Sequence, residues 1–460
     1  MNENNHPSPI RIGNAQGFWG DSPHAPARLV KQQPNLDYLT MDYLAEVSMS
    51  ILAIQREKDH TLGYAQDFLD VIRSLMPFWE NGSKVKVVTN AGGLNPVGCA
   101  KACQELINQT KCCTLRIGVV SGDDVLMILR SSQGFENPQF KHLESGKSLR
   151  EIDRKLVTAN AYLGAKPIAE ALLAGADIVI TGRVADPSLT VGPCIAHYNW
   201  SLEDYDRLAG ATIAGHLIEC GTQVTGGIST HWLEMPDPAH IGFPVVEVSS
   251  DGSCIVTKPP KTGGRVTLET VKEQLLYEIG DPGCYLSPDA TVSFLSLHVE
   301  EVGQDRVLVS GAKGSPPPAT YKVSATYRDG YKSEGMLVIF GQDAAIKARR
   351  CGEIILQRLN DAGYAIERSS IECIGAGAIA PGVIPEGQPL ECVLRIALAD
   401  PRKEALECFS KELASLVTSG PQGVTGYMSG RPNIRPVFGY WPCLIERKKV
   451  NPIVKILESE

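Results

Sequence analysis

Val85-Lys86-Val87-Val88-Thr89-Asn90-Ala91-Gly92-Gly93-Leu94-Asn95-Pro96 opens as an apolar, β-branched run and ends in a turn that leads into a helix. A nearly continuous apolar run such as Val85–Val88 suits a strand buried on both faces. Asn95 followed by Pro96 reads as a helix N-cap and first helical residue. The segment is therefore one strand–loop–helix unit of a parallel sheet.

Four further runs in the first 185 residues share this texture: Ile10–Gly13, Leu36–Tyr43, Leu115–Ser121 and Asp177–Thr181. Segments with helical periodicity separate most of them. Leu44, Val47, Ile51 and Ile54 share one face. Phe68, Leu69, Ile72, Leu75, Met76 and Trp79 make a second, and Cys99, Ala102, Cys103, Leu106 and Ile107 a third. Ala169–Leu173 closes a fourth. Alternation of this kind predicts a Rossmann-like, doubly wound α/β domain over residues 1–245, with helices on both faces of a parallel sheet.

Beyond Pro244 the texture changes. Val245–Val248, Thr291–Val299, Arg306–Ser310, Tyr321–Tyr327 and Met336–Phe340 read as strands, with Gly311–Pro318 as a surface connector. Helices are expected over Ala344–Asn360 and Pro401–Ser419, the second capped by Asp400 and stopped by Gly420. Residues 246–460 are thus expected to form an α+β domain of antiparallel strands and helices. No repeat of fixed period is visible.

Composition narrows the classes of function. The chain has 460 residues, 43% hydrophobic and 21% charged, which is ordinary for a protein that buries a core. A net charge of −8 with no basic block argues against nucleic acid and against an anionic membrane surface. Met1–Pro9 is polar and has no signal-peptide core. The apolar stretch Ala169–Ile180, broken by Glu170 and Asp177, falls short of a membrane span. Thirteen cysteines without a C-x-x-C pair suit reduced, buried thiols in the cytoplasm. Cys99 with Cys103, and Cys112 with Cys113, lack the further ligands a metal needs.

In an open parallel sheet, ligands bind beyond the carboxyl ends of the strands. The loops there are rich in Gly, Asn and Asp: Gly13–Ser22, Asp42–Glu46, Thr89–Pro96, Ser121–Asp124 and Thr181–Pro187. Tight turns alone favour such residues, but five on one sheet edge point to a shared site. Asn90, Gly92, Gly93 and Asn95 are expected to form an anion cradle at a helix N-terminus, with Arg183 adding a bidentate contact. Asn14, Gln16, Asp21 and Asp186 are further candidate substrate contacts, and Asp42 a candidate proton carrier.

A second constellation, His216–Gly227, begins at the expected end of a helix over Asp204–Glu219. Glu219 is the candidate general acid or base, with Thr225 and Gly226 as substrate contacts. Cys220 sits at a helix C-terminus, which opposes thiolate formation. His216 reads as a hydrogen-bonded helical histidine.

Several familiar cofactor and catalytic motifs are absent. Glycines 13, 17 and 20 do not give the G-x-G-x-x-G spacing of a dinucleotide site, and Pro381 breaks the nearest alternative at Gly375–Ala380. Gly146-Lys147-Ser148 matches the end of a Walker motif, but Lys141 stands where its first glycine belongs. Neither a G-x-S-x-G elbow nor H-E-x-x-H occurs. No cofactor is expected. A divalent ion on Asp21, Asp42, Asp123 or Asp186 is left open.

Arg11–Asp21, Asp42–Glu46, Thr89–Pro96, Thr181–Asp186, Glu219–Gly227, Tyr277–Pro282, Tyr327–Gly330 and Gly420–Tyr427 together resemble the acyclic terpene utilisation (AtuA-type) family. The resemblance implies a place in the breakdown of terpene-derived acids through CoA thioesters. It also implies a small ferredoxin-like domain or partner subunit, which is expected outside this chain. The expected function is an enzyme of small branched carboxylic acids or their CoA thioesters, a hydro-lyase or C–C lyase. A homo-oligomer is expected. The alternatives are a non-catalytic acyl-binding or assembly subunit, and a nucleotide-dependent enzyme.

Overall fold

The computed structural model describes residues 8–109, 115–383 and 387–457. The polar leader through residue 7 and the Cys112–Cys113 pair lie outside them. In chain order the elements of the first part are β1 (Ile10–Asn14), α1 (Ala25–Gln32), β2 (Tyr38–Met41), α2 (Ser48–Lys58), α3 (Phe68–Glu80), β3 (Lys86–Thr89), α4 (Pro96–Asn108) and β4 (Ile117–Ser121). Two short helices, α5 (Leu126–Leu129) and α6 (Ser132–Glu136), precede β5 (Leu156–Ala161), α7 (Lys166–Leu173), β6 (Ile178–Thr181), α8 (Ser188–Tyr198) and α9 (Tyr205–Glu219). Then come β7 (Val245–Val248), β8 (Cys254–Thr257), α10 (Leu268–Leu276), β9 (Tyr285–Leu286), β10 (Thr291–Ser293), β11 (His298–Gly303), β12 (Arg306–Ser310) and β13 (Lys313–Ser315). The remainder is β14 (Thr320–Phe340), α11 (Ala344–Asp361), β15 (Arg368–Ile374), β16 (Glu391–Asp400), α12 (Lys403–Ser419), β17 (Val424–Tyr427), β18 (Asn433–Glu446) and β19 (Ile453–Leu457).

The fold is mixed α/β, built on a ten-stranded sheet in the order β11-β12-β8-β7-β1-β2-β3-β6-β4-β19. All five strands expected from the sequence are present, and β1, β2, β3, β6 and β4 run parallel. The sheet is not parallel throughout, as expected, but mixed. Strands β7, β8, β12 and β11 extend it antiparallel beyond β1, and β19 does so beyond β4.

Crossover direction explains where the helices lie. Chain travel from β1 through β2 and β3 to β4 runs one way across the sheet, and right-handed connections place α1, α3 and α4 on one face. Their side chains Leu29, Phe68, Leu75, Cys99 and Cys103 share one core with Leu39, Val87, Val119 and Ile178. The return from β4 to β6 runs the other way, so α7 covers the opposite face. A Cβ on Gly118 would stand 2.9 Å from that of Ala171 in α7. β3 and β6 are neighbours whose outgoing connections diverge to opposite faces, and their carboxyl ends bound a crevice.

Two units are compact: Met1–Thr326 with Tyr440–Glu460, and Tyr327–Gly439. The boundary expected at residue 245 is thereby corrected. The strands after it complete the first sheet, because β7 pairs directly with β1 from Ile10↔Val248 to Gly13↔Val245. In the second unit, β15, β16, β14 and β17 form an antiparallel sheet, with β18 also on β14. Ile355 of α11 and Phe409 and Leu413 of α12 are buried in one core with Leu337, Leu394 and Ile396.

Several local readings are also revised. The apolar face of α2 carries Met49, Leu52 and Ala53, while Val47 and Ile51 are exposed. Tyr321–Tyr327 and Met336–Phe340 are parts of one strand that passes through Gly330 at φ +81°. Lys313–Ser315 of the expected connector pairs with β10. α12 is capped by Arg402 rather than Asp400, whose carboxylate accepts the Arg402 amide at 2.9 Å. Among the described residues, the cysteines are free thiols and most are buried. No described helix is long and apolar enough to cross a membrane.

Candidate functional site

Asp42 follows β2, Asn90 follows β3, and Arg183 and Asp186 follow β6, so the switch in crossover direction gathers them at one sheet edge. Asn90 is wholly buried. Its Nδ2 donates to Asp42 Oδ1 at 2.6 Å, and its Oδ1 accepts the Tyr43 amide at 2.7 Å. The Gln16 carbonyl accepts the Asp42 amide at 2.9 Å, which ties the first loop to the second. Burial, and after it the nearby Asp186, push Asp42 well above the usual carboxylate range.

Arg183 is among the largest fully buried side chains. Its guanidinium donates to the Leu44 carbonyl, pairs with Asp186 at 2.9 Å and lies 4.1 Å from the centre of the Tyr162 ring. Burial alone would lower its pKa, but Asp186, Tyr162 and Asp42 outweigh it and keep the cation charged. Its backbone amide donates to Asp123 Oδ2 at 2.9 Å, which also accepts Asn160 Nδ2 at 2.7 Å. Burial raises Asp123 to about 6.

Glu219 arrives from the end of α9. Asn14 Nδ2 donates to the carbonyls of Ile218 and Glu219 at 2.6 and 2.9 Å, so β1 fixes the helix terminus. Gly17 is required in the same place, because a Cβ there would lie 2.6 Å from the Cys220 carbonyl carbon. His216 Nδ1 is 3.0 Å from Glu219 Oε1, and His216 Nε2 is 2.8 Å from the Gln274 carbonyl. A carbonyl only accepts, so Nε2 carries the proton. Burial lowers the His216 pKa and leaves the ring neutral, so Nδ1 is an acceptor. Glu219 must then supply the hydrogen. Burial, followed by Asp186 and Glu278, raises Glu219 well above the usual range, which agrees with a protonated carboxyl. Its other oxygen, Oε2, is buried without a hydrogen-bond partner.

Arg183, Asp186, His216 and Glu219 line a cavity of about 400 Å³. Glu46, Glu278, Tyr162, Tyr285 and Lys322 line it as well, with Leu143, Ile279, Leu286 and Leu444 as its apolar part. Asp42 is not among the residues that line the cavity. Among the described residues, no group of three or more His, Cys, Asp or Glu side chains could hold a metal ion.

The other expected contacts support the frame. Asn95 caps α4 as expected, accepting the Gly98 amide at 2.9 Å, while its Nδ2 donates to Thr61 and Leu62. The amides of Gly93, Leu94 and Asn95 donate to backbone carbonyls, so these three are taken up within the loop. Gly92 lets the loop pack on the Thr181 carbonyl, which a Cβ would approach to 2.5 Å. Asp21 accepts the Gly17 amide at 2.8 Å, and Thr225 donates to the Gly242 carbonyl at 2.7 Å. Gly226 packs beside Met235. Tyr162, Glu278, Tyr285 and Lys322 are not among the expected site residues, because they come from irregular segments or later strands that only the fold brings to this edge; Glu278 lies in a segment that carries the family resemblance.

A family model described as acyclic terpene utilisation family protein AtuA matches residues 10–456. No curated protein matches the chain. Among solved structures, one from Burkholderia cenocepacia described as an amidohydrolase/peptidase is similar at 15% identity, over 27% of this chain and 30% of that one, with a TM-score of 0.16. The chain thus spans under a third of that neighbour, and the likeness carries no argument.

Proposed function

The chain belongs to the acyclic terpene utilisation family AtuA, and from that premise we propose an enzyme acting by proton transfer on a small branched carboxylic acid or its CoA thioester. The class that fits best is a hydro-lyase, with a C–C lyase using the same groups. The observation that carries this reading is Glu219: a buried carboxyl whose Oε2 is unpartnered beside a cavity, and whose pKa burial raises. The divergence of connections at β3 and β6 supports a Rossmann-like reading of the parallel block.

Elimination of water breaks a C–H bond next to the carbonyl and a C–O bond one carbon further on, and forms C=C. Glu219 turns its one proton from His216 Nδ1 toward the cavity and donates it to the departing hydroxyl, which leaves as water. Asp186 takes the carbon-bound proton. It is the better base than Asp42, which is buried deeper and does not line the cavity. Arg183 steadies the negative charge that develops on the carbonyl oxygen. Asp42 and Asn90 act as positioning residues behind this set.

The test is NMR in D2O of 3-hydroxy branched acids and their CoA thioesters with the purified protein. Deuterium entry at the carbon next to the carbonyl, with loss of the hydroxyl, is the expected result. Ligand binding without exchange or turnover would favour the non-catalytic subunit.

A further inference from the structure

Two cations stand against the buried Tyr162 ring. The guanidinium carbon of Arg183 is 4.1 Å from its centre, and Lys322 Nζ is 5.1 Å from it. Tyr162, Arg183 and Lys322 line the same cavity. Among the described residues, no carboxylate is within ion-pair reach of Lys322. Two further polar atoms there, the Tyr162 hydroxyl and Arg183 Nε, are buried and make no hydrogen bond of good geometry, although the Tyr162 side chain lies close to both Arg183 and Tyr440. Like charges drawn to one ring repel unless an anion lies beside them; Asp186 serves Arg183 in this way, and among the described residues Lys322 is the cation left without one. Glu46, Asp186, Glu219 and Glu278 supply the acidic part of the lining, so the cavity has distinct basic and acidic parts.

We infer that Tyr162, Lys322 and the free edge of Arg183 form a subsite for a charged carboxylate head group, so that the ligand is a free acid. This rests on the small-acid reading above and narrows it against the thioester. Arg183 Nε and the Tyr162 hydroxyl donate to the carboxylate oxygens, and Lys322 closes the charge from the rim. Branches of the ligand then meet Leu143, Ile279 and Leu286.

Isovalerate, isopentylamine and isovaleryl-CoA serve as probes, titrated by calorimetry into the full-length protein and its Lys322→Met, Tyr162→Phe and Glu219→Gln variants. Circular dichroism and thermal melts report folding, and exposed Lys322 is the substitution least able to disturb it. The expected result is that isovalerate binds and that Lys322→Met and Tyr162→Phe each weaken it about tenfold, the scale of one charge-assisted hydrogen bond. Glu219→Gln is expected to bind it as wild type does, so loss of turnover there leaves the subsite standing. The inference is overturned if isovalerate does not bind, if Lys322→Met and Tyr162→Phe leave its affinity unchanged, or if isopentylamine or isovaleryl-CoA binds more tightly.

Discussion

His216 Nδ1 and Glu219 Oε1 lie 3.0 Å apart within one turn of α9, and the Gln274 carbonyl 2.8 Å from His216 Nε2 fixes a hydrogen on that nitrogen. Burial lowers the His216 pKa and raises that of Glu219, which favours the neutral pair with the hydrogen on the glutamate. The proposed donation into the cavity requires that hydrogen to turn from His216 Nδ1 toward the ligand.

Glu219→Gln should keep the fold, because its amide still donates to His216 Nδ1. It should also lower turnover by roughly 10²–10⁴-fold, the usual worth of a positioned acid. Steady-state kinetics alongside a thermal melt checks both. In the wild type, burial raises the Glu219 pKa, so the acid form persists above the ordinary carboxylate range. kcat/KM should then fall on the alkaline side, as pH rises through the raised value. A rate that rises steadily with pH would oppose this role.

Asn14→Ala removes both donors that hold the Ile218 and Glu219 carbonyls. Stability should drop by about 1–3 kcal/mol, the cost of leaving buried acceptors unpaired. Turnover should fall further than folding alone explains, because Glu219 loses its fixed position. Denaturant unfolding and kinetics on one preparation separate the two effects.

Arg183→Met leaves Asp186 without its cation and the Leu44 carbonyl without its donor. Removing one member of a buried pair costs about 3–5 kcal/mol, and a third of Asp186 stays exposed, which places the loss at the lower end. Arg183→Met combined with Asp186→Asn should be less destabilised than the single change. Strict additivity in that double-mutant cycle would count against coupling.

Asp123 has a folded pKa of about 6 against an ordinary value of 3.8. The folded state binds more protons between these values, so this group's contribution is complete below about pH 4 and lost as pH rises through about 6. The shift corresponds to no more than about 3 kcal/mol. Asp123→Asn should therefore gain on the wild type as pH is raised from about 4 to about 7, read by denaturant midpoints. A difference that stays flat with pH would contradict the assignment.

Much of the parallel block was legible in the sequence, because strands buried on both faces must be apolar without alternation. Val87, Val119 and Ile178 show this pattern. The antiparallel flank was misassigned to a second domain, since Val245–Val248 looks the same whether it begins a sheet or pairs with Ile10–Gly13. The site was legible where a loop follows a strand directly, as with Asn90 and Arg183. It was misjudged at Asn95, whose cap uses the polar atoms that a ligand would need. Tyr162 and Lys322 lie 160 residues apart and are brought together by strand pairing, where the Tyr162 amide donates to the Lys322 carbonyl at 2.9 Å.

The central claim is that Glu219 is a protonated acid at neutral pH, and infrared difference spectroscopy of wild type against Glu219→Gln tests it most directly. The predicted result is a carbonyl band of a buried, protonated carboxylic acid that is present in the wild type, absent in the variant and sensitive to D2O. A difference spectrum with only ionised carboxylate bands would contradict it.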